Sequence, residues 1–152
     1  MKDVGQSRAD KAVDMFDSGF NCAQAVVSAY CEELGVDMEA ALRLACGFGA
    51  GMGRLQGTCG AVSGAYMIIG LKYGNSAVSA AEDKEAKEKT YAMVREFAGR
   101  FEERNKTAVC RELLGIGLIS GDGRQAAERV NAVCPKMVRD AVEILEGILF
   151  AE

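Results

Sequence analysis

The sequence predicts an all-α protein: a single-domain bundle of about six to seven helices over residues 1–152, with a glycine-rich loop ahead of a buried central helix. Three observations carry this reading. Apolar residues recur at helical spacing in one segment after another, and no run keeps a convincing period of two. The strongest breakers stand at segment ends, and the chain has a single proline, Pro135. Finally, residues 61–73, "AVSGAYMIIGLKY", are almost all apolar or small, which suits a helix buried on most sides; alanine, serine and glycine are poor strand formers.

In order, Ala9, Val13 and Phe16 share one face of a helix over about 8–18. A second helix is expected from Cys22 to Leu34, with Ala23, Val26, Val27, Tyr30 and Leu34 inward and Gly35 as its stop. Asp37 is placed to cap a third, carrying Met38, Ala41, Leu42 and Ala45 and ending at Gly47. There follows "GFGAGMGRLQGTCGAVSG", residues 47–64, in which seven of eighteen positions are glycine. The buried helix comes next, with Gly64 and Gly70 allowing close helix contacts. A long amphipathic helix is expected over 79–105, its outer face "EDKEAKEK" and its inner stripe Tyr91, Val94, Phe97, Ala98 and Phe101. A short helix near 108–114, a polar stretch through "SGDGRQ", and a last helix from Pro135 to about Leu149 complete the chain.

Composition narrows the chemistry. Hydrophobic residues make up 49% and charged residues 26%, a globular balance. A net charge of −4 argues against a nucleic-acid partner, which selects a basic face. No apolar run reaches the ~18–20 residues of a membrane span. The first residues, "MKDVGQSRADKAVDMF", carry no apolar signal-peptide core, so the expected location is cytoplasmic. There is no histidine, which removes the usual general base and the commonest metal ligand, while six cysteines remain. In a reducing compartment such a set points to metal binding or redox chemistry.

Four of the six are expected at helix starts. Cys134 precedes Pro135 and reads as the N-cap of the last helix. Cys110 lies three residues after Thr107, a candidate cap; Cys22 follows Ser18 and Asn21; Cys59 heads the buried helix. The positive end of a helix dipole favours thiolate, the nucleophilic and metal-binding form. Cys31, inside the second helix, and Cys46, at the far end of the third, read as packing residues. Gly57 and Gly60 flank Thr58 and Cys59, so the loop can turn its amides toward a sulfur-bound centre, with Arg54 as an added positive charge. The loop fits neither the dinucleotide fingerprint nor the phosphate loop, since the required third glycine and the lysine are absent.

These residues resemble the C_GCAxxG_C_C family of redox-active proteins. "CGAVSG" at 59–64 matches its central motif, and Cys22, Cys110 and Cys134 match its outlying cysteines. "FNCAQAV" (20–26), "GLKYG" (70–74) and "CRELLG" (110–115) extend the likeness over about residues 8–145. A similar cysteine-bearing segment occurs in split-Soret cytochrome c beside an iron–sulfur centre; this chain has no CxxCH, so no haem role carries over.

The leading expectation is that Cys22, Cys59, Cys110 and Cys134 hold an iron–sulfur cluster, [2Fe–2S], for electron transfer, as a carrier or an oxidoreductase. One alternative is metal-free thiol–disulfide chemistry with Cys59 attacking. The other is a structural zinc–thiolate tie in an interaction protein. The expected partner is a redox protein, and a homodimer is compatible with the sequence.

Overall fold

The computed structural model describes residues 5–76, 83–119 and 121–150, and it is all-α. Eight helices occur among these residues, six of them seven residues or longer. They are α1 (Arg8–Asp17), α2 (Cys22–Ser28), α3 (Cys31–Leu34), α4 (Met38–Cys46), α5 (Gly60–Tyr73), α6 (Lys84–Asn105), α7 (Cys110–Leu114) and α8 (Gly123–Leu149). The long helix expected from residue 79 begins at Lys84; its first expected turn lies outside the described residues.

Several ends form for the reasons read from the sequence. Ser7 and Asp10 make a reciprocal capping box on α1, and Asn21 and Gln24 make another on α2. The Asp37 carboxylate accepts from the Ala40 amide at the head of α4. Gly35 takes a left-handed conformation (φ +69°), letting the Val36 amide reach back to the Cys31 carbonyl.

Two helices differ from expectation. The segment 22–34 is broken at Ala29 and Tyr30, whose amides bond three residues back, to Val26 and Val27. The break buries the Tyr30 ring completely and lets its hydroxyl donate to the Glu146 carboxylate at 3.1 Å. The last helix does not begin at Pro135: it begins at Gly123, capped by Asp122, and carries the proline in its interior. Pro135 has no N–H for the Asn131 carbonyl, a defect of about 3 kcal/mol or more. Good helix formers upstream, "RQAAER", offset it, with a hydrogen bond from the Arg129 Nε to the Leu114 carbonyl (2.9 Å) and the buried Ala126.

Helix α5 is the axis of the fold. It is apolar all round and lies against α2, α6 and α8, while α1 packs on α8. Phe97 and Phe101 of α6 are fully buried, and Tyr66 of α5 meets Phe97 edge-on at 5.8 Å between centroids. Tyr91, expected on the same stripe, is exposed. Gly64 is needed where α2 crosses: a Cβ there would sit 2.8 Å from the Ala23 carbonyl oxygen. Gly70 faces open space, so the expected close contact does not occur there.

Candidate four-cysteine redox site

The local chain path that builds the site starts with an unusual turn. Residues 50–54 all have positive φ (Ala50 +55°, Gly51 +66°, Met52 +73°, Gly53 +57°, Arg54 +67°), and Gln56 follows at +59°. This is a left-handed turn. It costs roughly 1–2 kcal/mol at each non-glycine position, so the alternating glycines relieve only part of it. Its closing hydrogen bonds run from the Gln56 amide to the Ala50 carbonyl (3.3 Å) and from the Gly57 amide to the Gly51 carbonyl (2.9 Å).

Beyond the turn, the chain pairs briefly with the segment before α7. Thr58 and Val109 form an isolated antiparallel bridge. The Cys59 amide donates to the Ala108 carbonyl and the Cys110 amide to the Gly57 carbonyl, both at 2.7 Å. Two cysteines 51 positions apart are thereby fixed side by side by backbone alone. Cys59 is the N-cap residue of α5, and Cys110 is the first residue of α7, whose cap is Val109 rather than Thr107.

Cys22 reaches the same place from the first turn of α2, after the Asn21 cap. Its approach depends on Gly60, since a Cβ there would lie 3.2 Å from both the Cys22 Cβ and the Ala23 amide. The Asn21 Nδ2 also donates to the Cys46 carbonyl at 2.8 Å, tying the end of α4 to the site. Cys134 arrives from mid-α8, one residue before the proline, and is not an N-cap.

Together Cys22, Cys59, Cys110 and Cys134 line one cavity of about 410 Å³. All four are free thiols; three are buried and Cys134 is half-buried. Phe16, Phe20, Leu113, Leu118, Val130 and Met137 supply large apolar side chains to its wall, with Asp17, Asn21 and Asn131 as polar neighbours. Gly60 is also on the wall; Gly57 and Arg54 are exposed and do not line it. Among the described residues, no three Cys, Asp or Glu side chains converge tightly enough to hold a single metal ion.

The electrostatics differ from the helix-dipole expectation. The Cys22 thiol is pushed well above its ordinary range, first because it donates to Cys134, then by burial and by the neighbouring thiols. Burial pushes Cys59 up to about 12; the Ala61 and Val62 amides face its sulfur and oppose the rise without closing a capping bond of normal geometry. Burial, then Cys134, pushes Cys110 up to about 11, and the Gln56 side chain opposes this. Only Cys134 is lowered, by the hydrogen bond it accepts from Cys22. Loss of water and mutual repulsion outweigh the dipoles at three helix starts, and the favoured thiolate is the one away from any helix start.

The other cysteines lie elsewhere. The Cys31 thiol is buried and donates to the Val27 carbonyl at 3.3 Å, consistent with packing. Cys46 is exposed, so the expectation of a packing role fails for it; the end of α4 leaves its side chain in solvent. Gln56, absent from the sequence reading, is buried close to Cys110, with its side chain bonded to the Ile116 carbonyl and the Leu118 amide. The glutamine itself carries no local signal; the glycine alternation before it marks the turn but not its hand.

The fold is all-helical and gathers four distant cysteines on one largely apolar cavity, an arrangement suited to redox chemistry. The chain belongs to the family described as "Putative redox-active protein (C_GCAxxG_C_C)", whose model matches residues 20–148. No curated protein and no solved structure matches it significantly. Among the described residues no helix is long and apolar enough to cross a membrane.

Proposed function

We propose that Cys22, Cys59, Cys110 and Cys134 hold an iron–sulfur cluster, [2Fe–2S], and that the protein passes single electrons to a redox partner protein. The observation that carries this reading is the meeting of four free thiols, from α2, α5, α7 and α8, on one largely apolar cavity of about 410 Å³. Four thiolates are the usual complement for such a cluster, which when bound supplies reversible one-electron chemistry. Four thiolates repel one another in a buried space, so a group bringing positive charge is the natural complement of this donor set.

The residues of this chain have clear tasks in that reading. The 58–109 bridge fixes the Cys59–Cys110 spacing, Gly51 and Gly60 clear the approach of Cys110 and Cys22, and the Ala61 and Val62 amides offset negative charge on Cys59. The apolar wall limits water. A lone zinc ion would need all four sulfurs about 2.3 Å from one common point. A cluster spreads its ligands over its own bulk. Purification without oxygen, followed by iron and acid-labile sulfide analysis, tests the proposal. Iron and sulfide bound in equal amounts support it, and a chain that binds neither after reconstitution refutes it.

A second reading, dithiol–disulfide exchange at Cys22 and Cys134, is favoured by the two thiols lining one cavity and shifting each other's acidity in opposite directions. The two thiols would form a sulfur–sulfur bond, giving two electrons and two protons to a partner disulfide, which becomes a dithiol. This moves the attacking role from Cys59, held protonated by burial, to Cys134. Peptide mapping after exposure to a disulfide oxidant tests it: a Cys22–Cys134 link supports exchange, and four unlinked thiols exclude it.

A further inference from the structure

Gln56 is a buried polar residue in a backbone conformation that disfavours it, with φ +59° and only 6% exposure. An L-residue held in the left-handed region by its surroundings is a signal of a positional demand. Its side chain makes two long-range bonds: Nε2 donates to the Ile116 carbonyl at 2.8 Å, and Oε1 accepts from the Leu118 amide at 2.9 Å. These bonds hold the segment after α7, and Leu118 lines the cavity.

The backbone of Gln56 is equally fixed against the site. Its carbonyl accepts from the Arg111 amide at 3.3 Å, next to the bridge bond from the Cys110 amide to Gly57. Gly51 marks how close the two residues are: a Cβ there would stand 2.5 Å from the Gln56 Cα and 2.7 Å from the Cys110 Cβ. A glutamine amide has two N–H donors, and Ile116 uses one. The remaining donor has the Cys110 thiol as a neighbour, close to the Gln56 backbone, and an interaction with the Gln56 side chain counters the upward push on that thiol.

We propose that Gln56 is a positioning residue for the cysteine site: its carboxamide clamps residues 116–118 over the cavity and donates its remaining N–H to the Cys110 sulfur. This rests on the cluster reading above. Hydrogen bonds to ligating sulfurs are among the terms that set a cluster's potential. A donor to sulfur stabilises the more negative, reduced state, so its loss moves the potential down. A hydrogen bond to a charged group contributes about tenfold or more in an equilibrium constant.

The test uses the full chain with Gln56→Gly, which accepts the positive φ and removes every side-chain bond. Gln56→Glu, which keeps the acceptor for Leu118 but loses the donors and adds charge, is the second variant. Wild type and variants are reconstituted anaerobically with ferrous iron and sulfide and titrated for reduction potential, with iron and sulfide counted per chain. In parallel, hydrogen exchange at Leu118 is followed in the metal-free proteins. The expected order of potentials is wild type, then Gln56→Gly, then Gln56→Glu. The ratio of reduced to oxidised cluster at fixed ambient potential should fall by about tenfold in Gln56→Gly. Leu118 exchange should accelerate at least tenfold in Gln56→Gly and much less in Gln56→Glu. A loaded Gln56→Gly cluster with unchanged potential overturns the donor role, leaving a merely structural clamp. Unchanged Leu118 exchange in Gln56→Gly overturns the clamp. Failure of the wild-type chain to take up iron refutes the cluster reading and the sulfur-donor role with it, and the exchange arm alone then decides the clamp.

Discussion

Gly51→Ala is the sharpest probe of how the left-handed turn serves the site. Two separable costs are expected. The first is conformational: alanine at φ +66° loses roughly 1–2 kcal/mol relative to its preferred regions. The second is steric. The new methyl would meet the Gln56 Cα at 2.5 Å and the Cys110 Cβ at 2.7 Å, neither of them the end of a flexible side chain. Relief needs a backbone shift, and overpacking of this kind costs about 1–3 kcal/mol. The sum is about 2–5 kcal/mol. Gly53→Ala isolates the first cost, because Gly53 has φ +57° and open space around its Cβ position; it should lose about 1–2 kcal/mol. Urea denaturation of the metal-free proteins, monitored by circular dichroism, gives both values. Thermal melts should agree, at about 2–4 °C per kcal/mol for a chain of this size. Gly51→Ala should also bind less iron than Gly53→Ala, because the shift displaces Cys110. Equal losses in the two variants would refute the claim that Gly51 is a packing glycine between Gln56 and Cys110.

The same contrast applies in α5: Gly64→Ala should destabilise by about 1–3 kcal/mol, through the 2.8 Å approach to the Ala23 carbonyl. Gly70→Ala, unobstructed inside the same helix, should stabilise by about 0.5–1 kcal/mol. In metal-free protein at neutral pH, alkylation should mark Cys134 before the other three cavity cysteines, as seen by peptide mass mapping in a Cys46→Ser background; first modification at Cys59 would contradict the site electrostatics. The metal-free protein should lose stability as pH rises above about 9. Cys59 and Cys110 keep their protons in the fold up to about 12 and about 11, while the unfolded chain releases them near 9.0. The unfolded state therefore binds fewer protons in that window, and stability declines through it. Cys59→Ala should flatten this decline, measured as denaturation midpoint against pH.

Local chemistry made much of the architecture readable. The Asp37 cap, the Gly35 stop and the apolar run of α5 each announce themselves within a few residues. The break at Ala29 and Tyr30 does not, because no glycine or proline marks it; the burial of Tyr30 against α8 decides it. Pro135 misleads for a related reason. Proline ordinarily opens a helix, and only the long packing of α8 and the Arg129 bond to Leu114 reveal that it sits inside one. The four cavity cysteines were legible as a set from their residue types and flanking motifs. Their electrostatics were not, since burial and mutual repulsion depend on a convergence that spacings of 37, 51 and 24 residues do not encode. The glycine alternation at 47–53 announced a special backbone; its left-handed path and the role of Gln56 emerge from the bridge between residues 58 and 109.

The central claim is that these four thiols act together as ligands of one redox centre. The visible absorption spectrum of oxygen-free protein, recorded before and after dithionite, tests it most directly when wild type is set beside Cys134→Ser and Cys31→Ser. Sulfur-to-iron charge-transfer bands that bleach on reduction, persist in Cys31→Ser and are lost or displaced in Cys134→Ser are the predicted result. A spectrum without such bands in the iron- and sulfide-treated wild type, or bands indifferent to Cys134, would contradict it.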